Sequence, residues 1–313
     1  MNERIKNLRQ QSLDAIPHIS EERAKLLTEF YRSGAGKDES VPVQRAMALK
    51  YILKHKKIYI GEGELIVGER GPEPKATPTY PEICVHTEED LQVLHEREKV
   101  NFISSPSCRE SLSGEVSDYW SGKSMREKIF SIMTPEWKDC YAAGIFTEFL
   151  EQRAPGHTVL DDKIYRLGML DFKQNIKESA GALKKDDADF KNRQEELKAM
   201  DIAADAIMSF ALRHADELAR MAADEKDPQR KEELLEMEEN CRQVPANPPE
   251  NFWQALQYYW FVHLAVITEL NPWDSFNPGR LDQHLMPFYE KGCKVQGAGF
   301  RESARELLQA FWV

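Results

Sequence analysis

Apolar residues recur at helical spacing over most of this chain and alternate as in a strand over very little of it. Residues 3–14 carry a helical pattern that stops before Pro17. Ser20 stands where a helix N-cap belongs, and Glu21 and Glu22 suit the first turn of a second helix. Residues 34–40 predict a flexible loop. Pro42 then opens a third helix, whose apolar face is Ala46, Leu49, Ile52 and Leu53 and which ends near Lys56. Residues 58–69 hold two short apolar runs around a glycine turn, which predicts a small hairpin or strand pair. Residues 71–81 contain Pro72, Pro74, Pro78 and Pro81 and predict extended loop.

Thr87 with Asp90 and Ser124 with Glu127 have capping-box spacing, and Thr134-Pro135 starts a helix at Glu136. Residues 167–181 predict a helix. Residues 186–224 predict a long amphipathic one, with Leu197, Met200, Ala204, Ile207, Ala211, Leu218 and Met221 near helical spacing. His214 falls among them as a core or surface residue of that helix, not a ligand. Asp227-Pro228 caps a further helix running to about Arg242, and its Glu232, Glu233, Glu236 and Glu238 predict a solvated face. No repeat, heptad seam or composition shift marks a domain boundary. The fold class is mainly α with a few short strands.

Residues 251–292 organise the rest. An aromatic, apolar run from Trp253 to Leu270 predicts a helix, or a helix and a strand, buried on most sides. It is not a membrane span, because Gln254, Gln257, His263 and Glu269 interrupt it. Asn271-Pro272 breaks it. A polar turn comes next, Trp273-Asp274-Ser275-Phe276-Asn277-Pro278-Gly279-Arg280, and a second amphipathic segment starts at Leu281. Asp274 and Ser275 are therefore polar groups at the end of a buried element, a common place for reacting groups. The residues alone also allow Asp274 to cap the next helix or pair with Arg280. Upstream, Arg153-Ala154-Pro155-Gly156-His157-Thr158 places a histidine in a glycine-flanked turn. Such a histidine either transfers protons near neutrality or binds backbone carbonyls.

Composition narrows the function. A net charge of −11, with Lys and Arg dispersed among acids, disfavours nucleic acid. Five cysteines, odd in number and without a CxxC pair, suggest neither a disulfide framework nor zinc, and point to a reducing cytoplasm. The N-terminus lacks the apolar core of a signal peptide. The uncapped apolar run at residues 307–313 raises the expectation that the chain is the N-terminal part of a longer protein. Asp282-x-His284 is weak as a metal pair without further ligands, and nothing activates Cys84, near His86, or Cys108 as a nucleophile.

The segments ITELNPWDSFNPGRLDQHLMPFYEKG, EQRAPGHTV, TYPEICVHTEEDL and ELIVGE together resemble the glycyl radical enzymes related to pyruvate formate-lyase. Within them they resemble the branch that dehydrates hydroxyproline. Asp274-Ser275 stands where diol dehydratases of the superfamily carry His-Ser.

The resemblance covers the whole chain but only the N-terminal part of the family. It implies the first portion of a ten-stranded β/α barrel, with an opening strand near residues 266–270. It implies a dehydratase acting on trans-4-hydroxy-L-proline to give a pyrroline carboxylate. Another glycyl radical lyase, such as a C–N lyase on hydroxyproline or a diol dehydratase, and an inactive helical scaffold are the alternatives. Asp274 and His157 would be catalytic, and Phe149, Trp273, Ser275 and Phe276 would bind the small-molecule substrate. The family's Gly-Cys-Val-Glu-like thiyl loop and Arg-Val-x-Gly-Tyr-like radical loop are not in the sequence, and Gly292-Cys293-Lys294 has the wrong continuation for the former. The segment would then bind no cofactor or metal, the glycyl radical lying downstream. A cytoplasmic homodimer activated by a radical S-adenosylmethionine enzyme with an iron–sulfur cluster completes the expectation.

Overall fold

The computed structural model describes residues 2–145, 159–270 and 277–313. The helices among them are α1 (Glu3–Asp14), α2 (Glu22–Arg32), α3 (Val41–His55), α4 (Glu88–Glu96), α5 (Pro106–Ser111), α6 (Ser117–Trp120), α7 (Met125–Ile132) and α8 (Pro135–Ala142). They continue with α9 (Met169–Ala182), α10 (Phe190–Asp224), α11 (Pro228–Gln243), α12 (Phe252–Leu270), α13 (Leu281–Gln296) and α14 (Gly299–Trp312). Two strands, β1 (His18–Ser20) and β2 (Ala76–Pro78), pair in parallel, with Ser20 opposite Pro78. The mainly helical expectation holds among the described residues.

Helix starts follow local chemistry. Thr87 and Asp90 form a reciprocal capping box at α4, and Ser124 and Glu127 form another at α7. Asp227 caps α11, with Pro228 in the first turn, where its missing N–H costs nothing. Ser20 departs from expectation. It belongs to β1, and α2 is capped one residue later at Glu21, although the Ser20 hydroxyl still accepts from the Glu22 N–H at 3.3 Å.

Helix α12 lies at the centre of the main core. Leu256, Tyr258, Phe261 and Leu264 are fully buried on it, and so are Leu53 of α3, Leu218 of α10 and Ala304 of α14 in the same cluster. A second core gathers Leu27 and Phe30 of α2, the other face of α3 at Ala48 and Ile52, and Leu91, Leu112 and Trp120. Residues 266–270 are the last turns of α12, not a strand. A helix satisfies its own backbone inside an apolar core, whereas a strand there would need a partner on each side.

The hairpin expected over 58–69 does not form, and those residues run as turns without a ladder. Their backbone bonds instead to side chains of α12. Gln257 accepts from Val67 N at 2.9 Å and donates to Val67 O at 2.8 Å. Trp253 and Trp260 donate their indole N–H groups to Leu65 O and Gly68 O at 2.6 and 2.7 Å. The approach is close: a Cβ on Gly68, whose φ is 122°, would lie 2.6 Å from Leu264. The acidic face of α11 is solvated only in part. Glu232 and Glu236 are exposed, but Glu233 pairs with Arg4 and Arg230, and Glu238 with Arg242.

Gln257→Leu keeps the volume of that side chain but strands both backbone groups of Val67, so unfolding in urea should show a loss of about 2–4 kcal/mol. His214 is a core residue, 1% exposed, with Nδ1 2.9 Å from Phe210 O. Burial, which disfavours the imidazolium, pulls its pKa down to about 3. The unfolded chain therefore takes up a proton near pH 6.5 that the native state refuses. Stability due to this group is full above pH 6.5 and falls, at up to about 1.4 kcal/mol per pH unit, as pH drops toward 3. Denaturation curves across that window should show a shallower slope for His214→Gln.

Candidate functional site

The residues expected to carry chemistry, Asp274, Trp273, Ser275 and Phe276 in one turn and Phe149 and His157 in the other, lie outside the described residues. The structure does describe what holds the ends of those two segments. The first residue after the upstream segment, Val159, donates its N–H to the carbonyl of Asn277, the first residue after the downstream one, at 3.3 Å. The two segments thus return to the described chain at one point.

Asn277 Oδ1 accepts from Gly279 N at 2.9 Å, closing the Asn-Pro-Gly turn ahead of α13, and Gly279 has φ 66°. Leu160 and Asp161, with φ of 54° and 48°, turn the other chain back. Two consecutive non-glycine residues in the left-handed region are uncommon and cluster at functional sites. Asp161 Oδ1 lies 3.3 Å from His284 Nε2, and the His284 ring stacks on Tyr165 with centroids 5.1 Å apart. His284, weighed in the sequence as half of a metal pair, packs α13 against the Val159 side through that ring. Among the described residues no three acidic, His or Cys side chains cluster as a metal site would require. Cys108 is buried and desolvation pushes its thiol up to about 12, the opposite of thiolate activation.

The other end of the downstream segment is the C-terminus of α12. Arg23 Nε donates to Thr268 O at 2.6 Å, and the Tyr80 hydroxyl donates to Ile267 O at 2.5 Å. The Arg23 guanidinium also grips Glu82 through both terminal nitrogens, at 2.5 and 3.2 Å, and lies 3.9 Å over the Tyr80 ring. Glu269 pairs with Arg45 at 2.5 Å; burial raises its pKa, against the pull of Arg45 and Arg23. Burial likewise pushes the Tyr80 phenol up to about 12, so it remains a donor at neutral pH. Arg23 and Arg45 do not stand out in the sequence. Tyr80 lies within the TYPEICVHTEEDL segment, the one signal that pointed toward it. Along the same helix runs an open groove of about 570 Å³, whose lining includes Tyr259, Trp260, His263, Pro278 and Phe311.

The chain belongs to the pyruvate formate lyase-like family, which it matches over residues 1–313. It is 48% identical, over 99% of its length, to the trans-4-hydroxy-L-proline dehydratase of Clostridioides difficile, and covers 39% of that protein. The crystal structure of the C. difficile hydroxyproline dehydratase with trans-4-hydroxy-L-proline bound superposes with a TM-score of 0.94 at 47% identity, over all of this chain and 39% of that one. The glycerol-bound B12-independent glycerol dehydratase of Clostridium butyricum is similar at 30% identity with a TM-score of 0.91, again over all of this chain and 39% of the other. The chain therefore spans about two-fifths of the length of these relatives.

The Gly279 turn is testable by itself. Gly279→Ala forces an L side chain into the left-handed region, at a cost of about 1–2 kcal/mol. Hydrogen exchange should accelerate at the amides of Val159, Asn277 and residues 279–281, with α10 amides unchanged.

Proposed function

We propose that this chain is the substrate-holding part of a glycyl radical dehydratase that converts trans-4-hydroxy-L-proline to a pyrroline carboxylate. The observation that carries the proposal is the likeness at 48% identity over 99% of the chain to an enzyme of that name, against 30% for the glycerol dehydratase. The hydrogen bond from Val159 to Asn277 supports it, because it joins the segments bearing His157 and Asp274.

In this proposal Asp274 faces the ring ammonium of the substrate or its hydroxyl. A carboxylate there makes a charge-assisted hydrogen bond and moves a proton as the hydroxyl leaves as water. His157 positions or shares that exchange. Phe149, Trp273 and Phe276 wall off water from a reactive radical, and Ser275 adds a hydrogen-bonding group. The radical chemistry is a hydrogen abstraction from substrate by a thiyl group, itself generated by a glycyl radical. The proposal places both loops outside these 313 residues, in keeping with the two-fifths coverage. The full-length protein would complete a ten-stranded β/α barrel, act as a cytoplasmic homodimer in anaerobic metabolism, and be activated by a radical S-adenosylmethionine enzyme.

Two measurements on the full-length, anaerobically activated protein test the proposal. Product mass spectrometry should show dehydration of hydroxyproline and none of glycerol or propanediol; the reverse preference would overturn the substrate. Asp274→Asn should keep the glycyl radical signal in electron paramagnetic resonance while turnover drops about 10²–10⁴-fold. A normal radical with near-normal turnover would return Asp274 to a structural cap.

A further inference from the structure

We propose that Arg23 and Tyr80 are positioning residues for the turn carrying Asp274, acting through the last backbone carbonyls of α12. The inference rests on the site reading above but adds a specific mechanical route to it. The last four carbonyls of a helix have no partner within it. In α12 these belong to Ile267, Thr268, Glu269 and Leu270. Tyr80 takes the first of them and Arg23 the second. The clamp therefore sits on the final turn, directly ahead of Asn271.

Clamping that turn fixes a direction as well as a place. Each residue added to or lost from a helix rotates the downstream chain by about 100°. A helix end free to fray by one residue would change the direction in which the chain leaves Leu270. Arg23 is suited to prevent this. It is buried, 5% exposed, and all three of its guanidinium nitrogens are engaged: Nε with Thr268 O, and the terminal nitrogens with Glu82 and with Thr79 O at 3.2 Å. Lysine, a point charge with no planar fork, cannot hold three acceptors in that geometry.

The short parallel sheet explains how the two residues meet. Arg23 lies about one turn beyond β1 and Tyr80 shortly after β2. Ser20 stands opposite Pro78, so the register delivers the guanidinium onto the Tyr80 ring. Among the described residues this is the only sheet, and its downstream ends converge on the end of α12.

A double-mutant cycle in the activated full-length protein decides between positioning and mere stabilisation. Tyr80→Phe removes one hydroxyl and keeps the ring; Arg23→Lys keeps the charge and removes the fork. Each is made alone and with Asp274→Asn. We expect normal radical content, a kcat lowered about ten- to a hundredfold by misplacement, and a smaller change in KM. In the Asp274→Asn background the same changes should cost less than about twofold, because the group they position is already gone. Penalties that multiply independently, or an unchanged kcat with only a lower Tm, would overturn the proposal. If Arg23→Lys does not fold, Tyr80→Phe alone carries the decision. If Asp274→Asn turns over normally, the site reading has failed. Amide exchange over residues 271–280 then decides for the clamp by itself: faster exchange in Tyr80→Phe supports it, and unchanged exchange rejects it.

Discussion

A helix buried on nearly every side must satisfy whatever polar backbone is pressed against it, and α12 meets that requirement with its own side chains. Gln257 binds both backbone groups of Val67, and two indole N–H groups bind Leu65 O and Gly68 O. An unpaired amide in such a place costs as much as a lost hydrogen bond or more. These four bonds take the place of a neighbouring strand. They let an irregular segment pack flat on the helix, as near as the missing Cβ of Gly68 allows.

The same logic extends outward. Lys56, at the end of α3, is buried and donates to Glu69 O and Arg70 O at 2.8 and 3.0 Å. Its burial pulls the ammonium pKa down to about 8. Arg213 of α10 donates to Leu53 O and Lys56 O, both at 2.7 Å, and so closes the C-terminus of α3. Cationic groups thus cover helix ends and loop carbonyls in succession, from α10 to α3, from α3 to the 69–70 backbone, and from α2 to α12. Each sits where the partial negative charge of a helix end or a bent loop favours it.

Much of the fold was legible in the chain. The capping boxes at Thr87 and Ser124, the proline starts at Pro135 and Pro228, and the long apolar stripe of α10 are local signals, and the elements they predict are present. Two of the departures share a cause. Short apolar runs at 58–69 and 266–270 state that a segment is buried without stating what satisfies its backbone. In one case the partner is Gln257, distant in sequence; in the other it is the helix itself.

By itself the sequence determined the helical class, the position of most helix starts, the burial of α12 and the family. These depend on neighbours within a turn or two, or on motifs read directly. Only the tertiary structure decided that Val159 meets Asn277, that His284 stacks on Tyr165 beside Asp161, and that Arg23 and Tyr80 close the end of α12. Arg23 in a first helical turn and Tyr80 in a proline-rich loop look like surface residues when taken singly. Their role arises because a short parallel sheet joins strands far apart in the chain, His18–Ser20 and Ala76–Pro78, and hydrogen bonds formed across such a distance leave no periodic trace along the sequence.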